Sequence, residues 1–278
     1  MKTLISAEQL AAELASRHDI RVIDVRWALG GPDGLGEYLA GHIPGAAYAD
    51  LDTELASHGE PADGRHPLPS RETLQDAARR WGVNPGDTVV VYDGAGNLSA
   101  ARAWWLLKDA GVTDVLLLDG ALPAWRAAGL PLAEGPEQIA PGSITLGKGV
   151  MPVLDADGAA ALASTGLLLD ARAGARYRGE TEPIDPKAGH IPGARSAPTT
   201  ENLAADGRFL PAEELRNRFE ALGAGAEQVG VYCGSGVTAA HEAVALVLAG
   251  YEPVLYPGSW SQWSNLPGRP VETGDAPA

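Results

Sequence analysis

With 278 residues, 45% apolar and 21% charged, the chain has a globular composition and enough length for two domains. A net charge of −15 weighs against a nucleic-acid or anionic-membrane partner, since both select for Lys and Arg. One cysteine, Cys233, allows no internal disulfide and no thiolate cluster for a metal.

In chain order, Ala7–Ala15 carries apolar residues at helical spacing and predicts an amphipathic helix. The opening residues lack the continuous apolar core of a signal peptide, and no apolar run approaches the roughly 20 residues of a membrane span. A soluble, cytoplasmic protein is therefore expected. Val22–Val25 reads as a short strand within V-I-D-V-R, followed by a loop, A-G-H-I-P-G-A, at Ala40–Ala46. A helix at Arg71–Trp81, a strand at Thr88–Tyr92, a helix at Leu98–Ala110 and a strand at Val115–Leu118 follow. Gly and Pro mark Glu134–Pro152 as a linker. The series then restarts with a helix at Asp157–Ala163, a strand at Leu167–Asp170 and a second A-G-H-I-P-G-A at Ala188–Ala194. A helix at Ala212–Ala221, a strand at Gln228–Tyr232, a helix at Thr238–Ala249 and a strand at Val254–Tyr256 complete it, and Thr273–Ala278 is expected to fray.

Four matches occur in the same order in both halves: V-I-D-V-R with L-L-D-A-R, the two His-Ile-Pro-Gly loops, V-V-V-Y-D-G-A-G with V-G-V-Y-C-G-S-G, and D-G-A-L-P-A-W with P-G-S-W-S-Q-W. One domain is thus present twice. Alternating strands and helices predict an α/β fold in each copy, a mostly parallel sheet with helices on both faces. The expected bounds are 1–133, a linker at 134–152, and 153–278.

The copies differ at an informative place, where the first has Asp93 and the second Cys233. Gly234 and Gly236 let Cys-Gly-Ser-Gly-Val-Thr curl with its N–H groups inward, and the helix from Thr238 adds its N-terminal dipole. Such a cradle stabilises an anion, here a thiolate. Three other chemistries fit less well. Gly234-x-Gly236-x-x-Ala239 matches a dinucleotide loop but lacks the acidic residue after the next strand. A cysteine phosphatase needs an Arg where Ala239 stands, and nothing supports His241, within the helix, as a protease base.

These residues in this order resemble the tandem-domain rhodanese family over essentially the whole chain. C-G-S-G-V-T-A is similar to the active loop of the family's 3-mercaptopyruvate sulfurtransferases, whereas thiosulfate-specific members carry Cys-Arg-Lys-Gly-Val-Thr. The segment D-A-R-A-G-A-R-Y-R-G (Asp170–Gly179) and G-S-W-S-Q-W (Gly258–Trp263) fit as well. The resemblance implies sulfur transfer through a Cys233 persulfide, from a small anionic donor to a thiol, cyanide or reduced protein dithiol. It implies no metal and no organic cofactor. Gly234, Gly236, Val237 and Thr238 would form the cradle. Arg176 would hold the donor's anionic group, with Arg178 a second candidate, and Asp52 and His66 would act with Ser235 in proton transfer. The plain alternatives are a solvated arginine at 176 and an ordinary loop histidine at 66. His42 and His190 are expected to organise their turns, Asp93 to fill a vestigial site, and Trp27 and Trp260 to wall the cleft or the core. One departure concerns the donor: relatives carry a second Arg in an E-P-R run, where this chain has Glu182-Pro183-Ile184-Asp185-Pro186-Lys187. Lys187 is the candidate replacement. A neutral Gly-Ser after the cysteine favours a monoanionic carboxylate, 3-mercaptopyruvate, over doubly charged thiosulfate. The alternatives are a thiosulfate sulfurtransferase and a non-enzymatic persulfide carrier.

Overall fold

Short apolar runs become the inner strands of two parallel sheets in the computed structural model, which describes residues 2–225 and 228–275. The chain divides into two units. The first comprises Met1–Ser57, Pro69–Met151 and Ala204–Phe209; the second comprises His58–Leu68, Pro152–Leu203 and Leu210–Ala278.

The first unit runs β1 (Leu4–Ile5), α1 (Ala7–Leu14), β2 (Ile20–Asp24), α2 (Gly34–Ala40), β3 (Ala47–Tyr48), α3 (Leu51–Glu54), α4 (Arg71–Arg80), β4 (Thr88–Tyr92), α5 (Ala100–Asp109), β5 (Val115–Leu118) and α6 (Ala121–Ala127). Its strand order is β1-β5-β4-β2-β3, all parallel. The central strand β4, T-V-V-V-Y, is buried throughout, and its β-branched run suits a strand covered on both faces. Val90 and Tyr92 point into one core with Leu10, Ile43, Leu116, Leu122 and Trp125. The run 134–151 is tied down by backbone bonds, Gly142 N to Arg79 O at 2.7 Å and Gly147 N to Ala110 O at 2.8 Å.

The second unit runs α7 (Ala156–Thr165), β6 (Leu167–Asp170), α8 (Gly174–Tyr177), β7 (Arg195–Ser196), α9 (Ala212–Ala221), β8 (Val229–Tyr232), α10 (Thr238–Ala249), β9 (Pro253–Leu255) and α11 (Ser259–Asn265). The order β7-β6-β8-β9 repeats the first sheet, and a single parallel bridge from Val153 to Leu255 stands where β1 would pair. The strand expected at Val254–Tyr256 lies one residue earlier. Of the expected frayed segment 273–278, Gly274 N–H donates to the Arg178 carbonyl at 2.9 Å and is held. Residues 276–278 lie outside the described residues.

The repeated motifs explain themselves by matching contacts. Asp24 pairs with Arg26 at 2.6 Å and Asp170 with Arg172 at 2.5 Å, each guanidinium also donating to the glycine carbonyl before the loop histidine. The buried rings of His42 and His190 stack on Tyr38 and Tyr177, with centroids 4.0 and 3.7 Å apart, and each Nδ1 donates to that tyrosine's carbonyl. The next amide, Ile43 or Ile191, donates to the hydroxyl of Tyr92 or Tyr232 at the end of the central strand. Both histidines thus organise their turns. No helix among the described residues is long and apolar enough to cross a membrane.

Candidate active site

Strand β8 ends at Tyr232, and the next residue is the buried Cys233. Gly236 turns the chain with φ +78°, and a Cβ there would stand 2.4 Å from the Pro257 carbonyl oxygen, so only glycine fits. Its N–H donates to Cys233 Sγ at 3.1 Å. Val237 then caps α10 without a side-chain hydrogen bond; Ala240 N–H donates to its carbonyl at 3.1 Å, and the N–H groups of Thr238 and Ala239 are those placed for an anion at the loop.

The start of α11 holds this loop from outside. Cys233 N–H donates to Ser259 Oγ at 3.1 Å, and the Cys233 and Gly234 carbonyls accept from Trp260 N at 3.0 Å and Ser261 N at 2.8 Å. Ser259 sits at φ +54°, a strained conformation for a residue with a Cβ, as does Ala121 at the matching place in the first unit.

The first unit shows what the cradle binds. Asp93 Oδ1 accepts from Ala95 N and Asn97 N, both at 2.8 Å, and Oδ2 from Ser99 N at 2.8 Å and Ala100 N at 3.1 Å. Burial pushes this carboxyl up while the four amides pull it down. Counted along the side chain, its oxygens stand as many bonds from Cα as the outer sulfur of a cysteine persulfide would. A cavity of about 510 Å³ opens over Asp93, lined by Arg26, Trp27, Glu37, Leu122 and Arg126 among others.

Within the second unit, segment 58–68 brings two side chains to the Cys233 loop. His66 Nδ1 lies 2.7 Å from Ser235 Oγ, both residues buried. Arg65 is positioned by its own amide, which donates to Ser261 Oγ at 3.0 Å, and its Nη1 meets Asp185 Oδ1 at 2.8 Å. Asp185 Oδ2 accepts from Arg176 Nη2 at 3.3 Å, and Arg176 also donates to Glu182, Nη2 to Oε1 at 2.6 Å and Nε to Oε2 at 3.2 Å. Glu182 reaches Arg172 at 3.4 Å, so charges alternate from Arg65 to Asp170.

The remaining predicted residues fall as follows. Arg178 pairs with Glu180 at 2.7 Å on an exposed surface. Lys187 is half-buried, and its carbonyl accepts from Trp260 Nε1 at 2.9 Å. Trp260 is fully buried beneath the Arg172 guanidinium, 4.6 Å from the ring centroid. Asp52 belongs to the first unit, where its Oδ2 accepts from Trp27 Nε1 at 3.1 Å. His241 is buried, with Nδ1 2.7 Å from Thr199 Oγ1. Among the described residues no group of His, Cys, Asp and Glu is placed to hold a metal ion.

The sequence reading missed Ser259, Ser261, Arg65 and Asp185. The first two lie inside the repeated G-S-W-S-Q-W match, which was a usable signal. Arg65 sits in a loop with no counterpart motif, and Asp185 was read only as a departure.

The rhodanese-like domain profile matches residues 6–128 and 155–266. A Pseudomonas aeruginosa protein named "Probable 3-mercaptopyruvate sulfurtransferase" is 50% identical over 98% of both chains. A Mycobacterium tuberculosis protein named "Putative thiosulfate sulfurtransferase SseB" is 45% identical over 99% of this chain and 98% of its own. The crystal structure of the 3-mercaptopyruvate enzyme SseA from Escherichia coli superposes with a TM-score of 0.83 at 34% identity, covering 94% of this chain and 99% of that one.

Proposed function

This chain belongs to the rhodanese-like domain family, and from that premise we propose that it is a sulfurtransferase working through a persulfide on Cys233, with 3-mercaptopyruvate as donor. The observation that supports the reading most is the pair of cradles. The same loop accepts a carboxylate on four amides in one unit and carries a buried thiol in the other. The outer sulfur of a Cys233 persulfide would take the place that Asp93's oxygens take.

The Cys233 thiolate attacks the donor's sulfur, and a new S–S bond forms as the C–S bond breaks. The bonding pair goes to the donor's methylene carbon, and a proton, overall the one from the donor's S–H, moves there to give pyruvate. His66 and Ser235, in hydrogen-bond contact, are the groups to carry that proton. An acceptor thiolate, cyanide or a reduced protein dithiol then attacks the outer sulfur and expels the Cys233 thiolate. Two half-reactions with one covalent intermediate predict ping-pong kinetics. A lone reduced thiol suits a reducing compartment, and the cytoplasm is the proposed location.

Thiosulfate is the second donor reading, favoured by the name of the M. tuberculosis relative. Its attack releases sulfite and leaves the same persulfide. Mass spectrometry after incubation with each donor should show one added sulfur on Cys233, and Cys233→Ser should lose both the adduct and turnover. Sulfur transfer retained by Cys233→Ser would sink the mechanism. A higher kcat/KM with thiosulfate would replace the donor.

A further inference from the structure

We propose that the crevice over Asp93 in the first unit binds a small α-amino acid with a large apolar side chain, without transforming it. Its place follows from topology. β2 leads through α2 to β3 on one side, while β4 leads through α5 to β5 on the other. A crevice therefore opens outside the carboxyl ends of β2 and β4, where open parallel sheets take their ligands. The cavity there measures about 510 Å³, room enough for a small molecule. At its floor Asp93 already accepts from the amides of Ala95, Asn97, Ser99 and Ala100, so the loop offers a bound molecule neither a thiol nor a vacant cradle.

Two charges give the ligand its class. Glu37 precedes Tyr38 as Arg176 precedes Tyr177. The two tyrosines are equivalent, since each stacks on its loop histidine and donates its hydroxyl to a carbonyl, Ala46 or Ala194, at 2.7 Å. The first unit thus presents a carboxylate where the second presents a guanidinium, and a carboxylate selects a cation. From α6, Arg126 lines the same cavity, where the second repeat has Ser264. A Cβ on Gly41 would stand 3.7 Å from Arg126 Nη2, and the Gly41 carbonyl accepts from Arg26 Nη2 at 2.9 Å, so two guanidinium groups approach one glycine. Arg26 is balanced by Asp24; Arg126 is in no ion pair among the described residues. An ammonium for Glu37 and a carboxylate for Arg126 together make a zwitterion.

The walls select the rest of the molecule. Trp27, Pro32, Leu122 and Pro123 line the cavity with apolar surface. Trp27 is fixed in advance, its Nε1 donating to Asp52 Oδ2 at 3.1 Å and its carbonyl accepting from Ser99 Oγ at 2.8 Å. A wall set before binding lowers the ordering cost, and an indole face suits both an apolar ring and a nearby ammonium.

The test is isothermal titration calorimetry of the full chain with L-phenylalanine, hydrocinnamate, which lacks the ammonium, and phenethylamine, which lacks the carboxylate. L-Phenylalanine should bind about 10-fold more tightly than either analogue, the lower end for a charge-assisted hydrogen bond at an exposed group. Glu37→Gln should weaken L-phenylalanine about 10-fold and leave hydrocinnamate unchanged. Arg126→Gln should weaken it by about the same factor and leave phenethylamine unchanged. Both side chains are exposed, so neither substitution removes a core contact. Arg176→Gln, in the other unit, should leave all three affinities as they are. The absence of saturable binding by any probe up to about 10 mM would overturn the site. Equal affinity for all three probes would overturn it too, as would losses caused by Arg176→Gln and not by Glu37→Gln or Arg126→Gln.

Discussion

Ser235 Oγ and His66 Nδ1 lie 2.7 Å apart, the pair proposed above to handle the proton, and the two candidate donors differ in whether they need one. Breaking the C–S bond of 3-mercaptopyruvate leaves an electron pair on carbon that must be protonated. Breaking the S–S bond of thiosulfate leaves sulfite, a stable anion. Ser235→Ala should therefore slow persulfide loading from 3-mercaptopyruvate about 100-fold or more, yet change loading from thiosulfate less than about 3-fold. Single-turnover mass spectrometry on Cys233 gives both rates, and equal losses would reassign Ser235 to holding the loop. At this scale the sequence was legible where chemistry dictates the residue type. The cysteine followed by Gly234 and Gly236 required a curled loop, and Gly236 does carry the positive φ. Arg176 and Arg178 could not be told apart by spacing alone. Positions two apart around a helical turn face different ways, and α8 sends one side chain to Glu182 and the other to the surface.

Helix α11 is short, yet its first turn satisfies the backbone of the nucleophile. Ser259 Oγ accepts from Cys233 N and donates to the Tyr256 carbonyl, while the same residue adopts φ +54°. Ser259→Ala keeps the strain and leaves the buried Cys233 N–H without an acceptor, which costs about 1–3 kcal/mol. Ser259→Gly loses the same bond but relieves the left-handed conformation, recovering about 1 kcal/mol. The Gly variant should thus show a higher urea midpoint than the Ala variant. Both should lower kcat with little change in KM, since the loop that carries Cys233 and not the proposed donor-binding Arg176 is disturbed. An Ala variant as stable as wild type would refute this account of Ser259. The inner strands and long helices were readable because runs such as V-V-V-Y and A-W-W-L-L fill a two-faced sheet and its covering. Two-residue strands and one-turn helices such as α8 and α3 were not, being too short to display a period.

The duplication was legible from four ordered motifs because those motifs mark the ends of strands and the turns after them, where the fold constrains residue identity. What the repeat did not reveal is that each unit takes one loop from the other half of the sequence, 58–68 in the second and 204–209 in the first. These loops share no motif, and one of them carries His66 and Arg65. The two units also differ in more than the Asp93–Cys233 exchange. Where the second has Asp170-Ala171-Arg172-Ala173-Gly174-Ala175-Arg176, the first has Asp24-Val25-Arg26-Trp27-Ala28-Leu29-Gly30, with no arginine at the place of Arg176. Ala95 stands where Ser235 would be. The first cradle therefore keeps its anion-binding amides but lacks counterparts of Arg176 and Ser235, the residues proposed to hold the donor and move its proton. Wild-type protein saturated with 3-mercaptopyruvate should carry one added sulfur per chain. In Asp93→Cys, the amides of Ala95, Asn97, Ser99 and Ala100 would surround a second thiol, which should load at least about 100-fold more slowly than Cys233. Peptide-resolved mass spectrometry over a time course separates the two sites. Equal loading rates would mean that the amide cradle suffices for transfer, and would remove the roles proposed for Ser235 and Arg176.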